Sequence, residues 1–182
     1  TAADLCRRHR DAGEEDELRR RTGLLLDPYF SATKLEWLLA EHPDLRARAD
    51  RGEICATTVD GYLVARLTGG RTLGTDASNA SRTLLYDLQR GDFDAELCAI
   101  FGIPKAMLPP VVASCGRVGT TDAGVFHGRC VPISGVAGDQ QAALFGQACT
   151  TPGMSKNTYG TGSFVLVNAG TAPPPAAHGL LT

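Results

Sequence analysis

Apolar residues recur at spacings of three and four through the first two-thirds of the chain, whereas the last third strings short β-branched runs between Gly- and Pro-bearing breaks. Residues 3–21 carry dense mixed charge with Leu5 and Leu18 as the main apolar points, which predicts a solvated helix whose partner surface lies partly outside this chain. Pro28 breaks the chain, and Ser31, three residues before Lys34, opens a helix with Leu35, Leu38 and Leu39 at helical spacing. Trp37 is expected to pack its ring within that helix. Pro43 to Gly52 is again charged and helical. From Ile54 to Leu67 the apolar spacing favours a helix despite its β-branched start. Gly69-Gly70 ends it, and Thr72 to Asp76 reads as a short strand or loop. Leu84-Leu85-Tyr86 precedes a polar Gln-Arg-Gly-Asp turn, Ala95 to Phe101 a short helix closed by Gly102 and Pro104, and Pro109-Pro110 marks another break.

Small residues and glycines between Val118 and Gly128 predict hairpin or loop geometry. Val131 to Gly138 reads as a strand kept irregular by Pro132 and Gly135. Asp139 to Gln147 should be a helix, and a Pro152-Gly153 turn separates it from a strand pair at Ser155 to Thr158 and Ser163 to Val167. The Pro/Ala-rich stretch from Thr171 to Ala177 reads as a surface loop. There is no internal repeat, and strands alternating with helices imply the α/β class.

At 182 residues the chain can bury a core as one domain, or as one domain plus part of another. A net charge of -2 leaves no basic footprint for nucleic acid, so small molecules are the better ligands. The six cysteines form no C-x-x-C pair and have no His at zinc-finger spacing, which favours small buried hydrophobes in a reducing compartment. No signal region and no apolar run of about 18 residues is present, so a membrane span is not expected and the reading is cytoplasmic.

The chemistry concentrates late. In Gly138-Asp139-Gln140-Gln141-Ala142-Ala143-Leu144-Phe145-Gly146-Gln147 a carboxylate and a carboxamide sit side by side where a strand gives way to a helix, and Asn157-Thr158-Tyr159-Gly160-Thr161-Gly162 follows. A carboxylate there can accept the proton of an attacking hydroxyl, and a carboxamide, with one acceptor and two donors, suits a hydroxyl-rich substrate. A Gly-Thr-Gly turn lets the backbone approach phosphate, with a threonine hydroxyl to donate. On spacing alone Asp139 reads first as a helix N-cap, and Gln140 as a solvated helix residue.

With Thr22 to Leu39, including Asp27-Pro28-Tyr29-Phe30-Ser31, and with Thr75-Asp76-Ala77-Ser78-Asn79-Ala80-Ser81-Arg82-Thr83, these motifs resemble the FGGY family of carbohydrate kinases, within it the glycerol kinases. The resemblance implies an actin-like ATPase, ribonuclease-H-like α/β fold with its active site between two domains. Residues 1–147 would belong to the N-terminal, substrate-binding domain, and 148–182 would begin a truncated C-terminal, nucleotide-binding domain. It implies ATP-dependent phosphorylation of glycerol to sn-glycerol 3-phosphate, with Mg2+ bridging the nucleotide phosphates. Asp139 would be the catalytic base. Tyr29 and Gln140 would hold substrate hydroxyls, Phe164 would lie against the substrate's carbons, and Gly160, Thr161 and Gly162 would bind the nucleotide. Asp76, Asn79 and Arg82 are expected to hold a turn instead.

The chain lacks the family's Asp-x-Gly-Thr phosphate loop, its Arg-Glu pair and Trp at the substrate, and its adenine-binding half. It is therefore expected to be an internal fragment, inactive alone. Phe126 to Pro132 also departs from the Gly-Thr-Arg run through which some members bind a sugar bisphosphate, so that regulation is not expected. A kinase for another polyol or sugar, and a non-catalytic module that binds a polyol or a partner, are the alternative readings. A homo-oligomer is left open.

Overall fold

The computed structural model describes residues 1–182, and its charged opening segment forms two helices, α1 (Ala2–Asp11) and α2 (Glu15–Thr22). Gly13, at φ 79°, makes the break between them. Thr1 and Asp4 close a capping box at the start of α1. Contrary to expectation, both helices bury a face within this chain: Leu18 is wholly buried, and Cys6 and His9 nearly so. α3 (Ala32–Glu41) and Phe101 cover α1, while α2 packs toward Tyr86–Asp87. His9 Nε2 lies 2.8 Å from Glu36 Oε2, and the imidazole meets the Phe101 ring edge-on at 4.8 Å.

In α3 the buried positions are Ala32, Thr33 and Leu39. Trp37 stands two residues before Leu39, about 200° around the helix, and is 42% exposed, which overturns the expectation that its ring packs. After α4 (Pro43–Asp50) the chain turns at Arg51-Gly52 and forms no further helix until α5 (Val59–Leu67), so the predicted helix starts later than its apolar spacing suggests. The Ala56 amide donates instead to Met107 O at 2.8 Å, and the β-branched pair Thr57-Thr58 favours extended backbone there.

The remaining elements are β1 (Thr75–Asp76), α6 (Ala77–Ala80), β2 (Tyr86–Asp87), β3 (Asp92–Phe93), α7 (Ala95–Ile100), β4 (Val111–Val112), β5 (Cys115–Thr120), β6 (Pro132–Gly135), α8 (Asp139–Gly146), β7 (Ser155–Tyr159) and β8 (Ser163–Val167). Strands pair in twos. β1 and β4 are parallel, while β2–β3, β5–β6 and β7–β8 are antiparallel. One apolar cluster of 18 residues, from Cys6 to Met107, forms the core. Beyond Val112 only Thr121, Cys149 and Lys156 are buried. The α/β expectation holds, with helices concentrated in the core half and paired strands beyond it.

All six cysteines are free thiols, and three of them, Cys55, Cys115 and Cys130, are exposed, so only half fit the expected role of buried hydrophobes. Burial pushes the Cys98 thiol up to about 11. No helix is long and apolar enough to cross a membrane.

A buried cation ties α2 to the β2–β3 hairpin. Arg21 places Nε 3.0 Å from Asp87 Oδ2 and Nη2 2.6 Å from Asp94 Oδ1, both carboxylates being buried. Asp87 also accepts the Gln89 and Arg90 amides, and Asp94 caps α7 through the Glu96 and Leu97 amides. Burial pushes both carboxyls up, but these amides and Arg21 outweigh it and hold them below the usual carboxylate range. Their stabilisation is present above the unfolded value of about 3.9 and is lost as pH falls through the lowered folded values. Arg21→Met leaves two buried anions without their shared cation and is expected to cost about 3–5 kcal/mol in urea unfolding at pH 7. The gap to the wild type should narrow below pH 4. Equal stability at pH 7 would show that the cluster contributes nothing.

Candidate functional site

The site is laid down where strand β6 runs into helix α8. β6 pairs with β5, and just past it the Val136 amide donates to Ser114 O at 3.0 Å. Two residues further the Gly138 amide donates to Ser78 Oγ at 2.7 Å, a contact that spans 60 positions of sequence. Ser78 Oγ in turn donates to Asp76 Oδ2 at 2.6 Å.

Asp76 has no exposed surface. Oδ2 also accepts Ser114 Oγ at 2.6 Å and the Ser78 amide at 3.1 Å, while Oδ1 takes the Asn79 amide at 3.0 Å and its side-chain Nδ2 at 2.7 Å. Burial would raise its pKa, but the bonds from Ser114, Ser78 and Asn79 more than offset this and keep the carboxyl below its ordinary range. The third motif is thus the N-cap of α6, as the turn reading had it, and Asp76 and Asn79 are held by local bonds. The Ser78 link to Gly138 was not legible in the sequence. Arg82, mostly buried, donates to Ser81 Oγ and to Thr182 O.

Gly138 is the N-cap residue of α8 and has no side chain to cap with. Asp139 follows as the first helical residue, exposed, and makes no bond to the helix's free amides, so the cap alternative fails. Its carboxylate accepts one hydrogen bond, from Gln140 Nε2 to Oδ2 at 3.1 Å, and stands at the positive end of the helix dipole. Oδ1 has no partner among residues 1–182.

Gln140 is half-buried, and its Oε1 accepts from Lys156 Nζ. Lys156, on β7, is only 3% exposed, and Nζ also donates to Thr158 Oγ1 at 2.7 Å. Sequence reading missed this lysine. A Lys in the polar run Ser-Lys-Asn-Thr-Tyr reads as solvated, and the one available signal was Thr158 two residues on, on the same face of the strand.

Thr158 lies opposite Phe164 in the β7–β8 ladder. The Gly160-Thr161-Gly162 turn closes that hairpin, with the Gly160 amide donating to Gly162 O at 2.8 Å. A Cβ on Gly162 would come within 2.9 Å of Phe164 Cε2, so the ring lies against this glycine and a larger residue there would push the ring aside. A Cβ on Gly160 would meet nothing closer than 4.0 Å. Thr161 is exposed with no hydrogen-bond partner.

Asp139 and Gln140 are therefore joined directly. Lys156 connects them to the hairpin that carries Phe164, Gly160, Thr161 and Gly162. Tyr29 is not brought into this set. It is 73% exposed in the turn before α3, with its amide on Asp27 Oδ1 at 2.7 Å, its ring edge-on to Phe30 at 5.4 Å, and Lys34 Nζ 5.9 Å from its ring centre.

The model of the FGGY family of carbohydrate kinases, N-terminal domain, matches residues 1–146, and the chain belongs to that family. Its fold is accordingly the actin-like α/β fold of these kinases. Within the family it is 56% identical over 180 residues to a glycerol kinase of Methylobacterium nodulans, and 55% identical over 180 residues to one of Cereibacter sphaeroides. Each match covers 99% of this chain and 36% of the relative, so the chain spans about a third of the length of the curated relatives it matches. Among solved structures, Plasmodium falciparum glycerol kinase with ADP superposes at a TM-score of 0.86 and 34% identity, over 91% of this chain and 33% of that one. Xylulose kinase from Rhodospirillum rubrum, at 0.82 and 22% over 96% of this chain and 36% of that one, shares the fold.

Ser78→Ala removes the acceptor for the Gly138 amide and one donor to Asp76, and is expected to destabilise by about 1–3 kcal/mol. Ser78→Thr, which keeps the hydroxyl, should lose less. Amide exchange at Gly138 should accelerate in the alanine variant alone. Unchanged exchange there would show that the bond does not hold the junction.

Proposed function

We propose that the protein is an ATP-dependent glycerol kinase, transferring the γ-phosphoryl group to a terminal hydroxyl to give sn-glycerol 3-phosphate. In this reading residues 1–147 form the substrate-binding domain and 148–182 begin the nucleotide-binding domain. The observation that carries the reading is the bonded Asp139–Gln140 pair, joined through Lys156 to the glycine hairpin; identity of 55–56% to proteins named glycerol kinase supports the choice of substrate.

Phosphoryl transfer demands positioning and charge stabilisation more than covalent work from the protein. Asp139 takes the proton of the attacking hydroxyl on Oδ1, the oxygen free of partners, while Oδ2 stays anchored by Gln140. Gln140 keeps one Nε2 hydrogen and one Oε1 lone pair for a substrate hydroxyl. Phe164 presents its half-exposed ring to the substrate's carbons, and Tyr29, outside the bonded set, would supply its exposed phenol from the turn before α3.

The hairpin tip suits phosphate, because Gly160 opens on free space and the Thr161 hydroxyl is uncommitted. Mg2+ would be carried chiefly by nucleotide phosphates and water, with the open Asp139 carboxylate as a protein oxygen available to it, and would neutralise charge across the phosphates. The small soluble substrates of this reaction, like the free thiols, suit a cytoplasmic enzyme.

The test is a coupled assay on the full-length protein with glycerol, xylulose and gluconate side by side. Glycerol is expected to give the highest kcat/KM; preference for either sugar substrate would overturn the assignment. Asp139→Asn should lower kcat by about 10²- to 10⁴-fold, with glycerol binding changed less. Its melting temperature should barely move, since Asp139 caps nothing. A variant with full kcat would remove Asp139 from the mechanism.

A further inference from the structure

Lys156 is the most deeply buried cationic side chain outside the core half, and it makes no ion pair with any carboxylate. Taking an ammonium out of water without a counter-ion costs several kcal/mol, and an apolar residue of similar length would serve packing better. The charge therefore needs another explanation. Its bonds supply one: Nζ donates to Gln140 Oε1 and Thr158 Oγ1, and Gln140 Nε2 donates to Asp139 Oδ2.

A carboxamide has nearly the same shape in its two orientations, so packing alone cannot choose between them. The lysine can. An ammonium has donors and no acceptor, so only the carboxamide oxygen can face it, which turns the NH2 toward Asp139. In the opposite orientation an NH2 would oppose an ammonium and a carbonyl oxygen would oppose a carboxylate, two repulsions at once. Lys156–Gln140–Asp139 is in effect an ion pair with an amide inserted between its charges.

We propose that Lys156 is a positioning residue that sets the orientation of the Gln140 carboxamide and, through it, holds the Asp139 carboxylate. The proposal rests on the kinase reading for its catalytic consequence, though the contact itself does not. Because Lys156 lies on β7 and its targets on α8, it also makes their geometry depend on how the hairpin docks against the helix.

The experiment is a double-mutant cycle in the full-length protein: wild type, Lys156→Met, Gln140→Ala and the double variant. Lys156→Met is expected to lower kcat/KM for glycerol by about 10²-fold, the scale of a 1 Å misplacement at a reacting group. Its melting temperature should be unchanged or higher, because the buried charge is gone. If the lysine acts through Gln140, adding Lys156→Met to Gln140→Ala should cost little more. Full additivity, or a loss of activity that merely follows a fall in melting temperature, would overturn the proposal.

A readout independent of turnover is the side-chain NH2 signal of Gln140 in 15N spectra, identified by its disappearance in Gln140→Met. It should shift in Lys156→Met, and an unmoved signal would also overturn the proposal. A wild-type protein inactive on glycerol but showing that shift would sink the kinase assignment and leave the Lys156–Gln140 contact standing.

Discussion

One buried carboxylate, that of Asp76, carries the connection between the packed half of the molecule and its chemistry. Its two oxygens accept five hydrogen bonds from Ser78, Asn79 and Ser114, enough to outweigh the burial that pushes its pKa up. Those bonds cap α6, whose Ala80 lies in the apolar cluster, so the carboxylate is fixed relative to the core. They also orient the Ser78 hydroxyl: because its hydrogen goes to Asp76, its lone pairs face the Gly138 amide. The peptide that precedes Asp139 is positioned by this relay more than by packing, for α8 itself has no buried residue.

The same division of labour explains what could be read from the sequence. Local patterns located α3, α7, α8 and the β7–β8 pair: helical spacing in α3, the Asp94 cap and Gly102 stop of α7, the glycine break before α8, and the turns that bound the strand pair. They failed where tertiary contacts outweighed them. Residues 3–21 looked solvated because two short helices share their charges with distant partners such as Glu36, Asp87 and Asp94. Trp37 looked like core because its residue type is bulky, yet its position around α3 faces outward.

For the site, the Asp-Gln pair and the glycine turn were legible because the chemistry demands those residue types next to one another. Lys156, Ser78 and Ser114 were not. Each is an ordinary polar residue in its own segment and acquires a role only through a contact far away in sequence, which no local pattern encodes. Gly162 is intermediate: its presence in the turn was plain, but the ring of Phe164 lying against it was visible only in three dimensions.

The sixty-residue span between Ser78 and Gly138 has a kinetic side as well. Closing so long a loop costs chain entropy that no neighbouring contact repays until both ends are structured. The Ser78 end does not exist as a docking point until α6 is capped and seated on the core. The strand-to-helix junction before Asp139 is therefore expected to reach its place only after that seating.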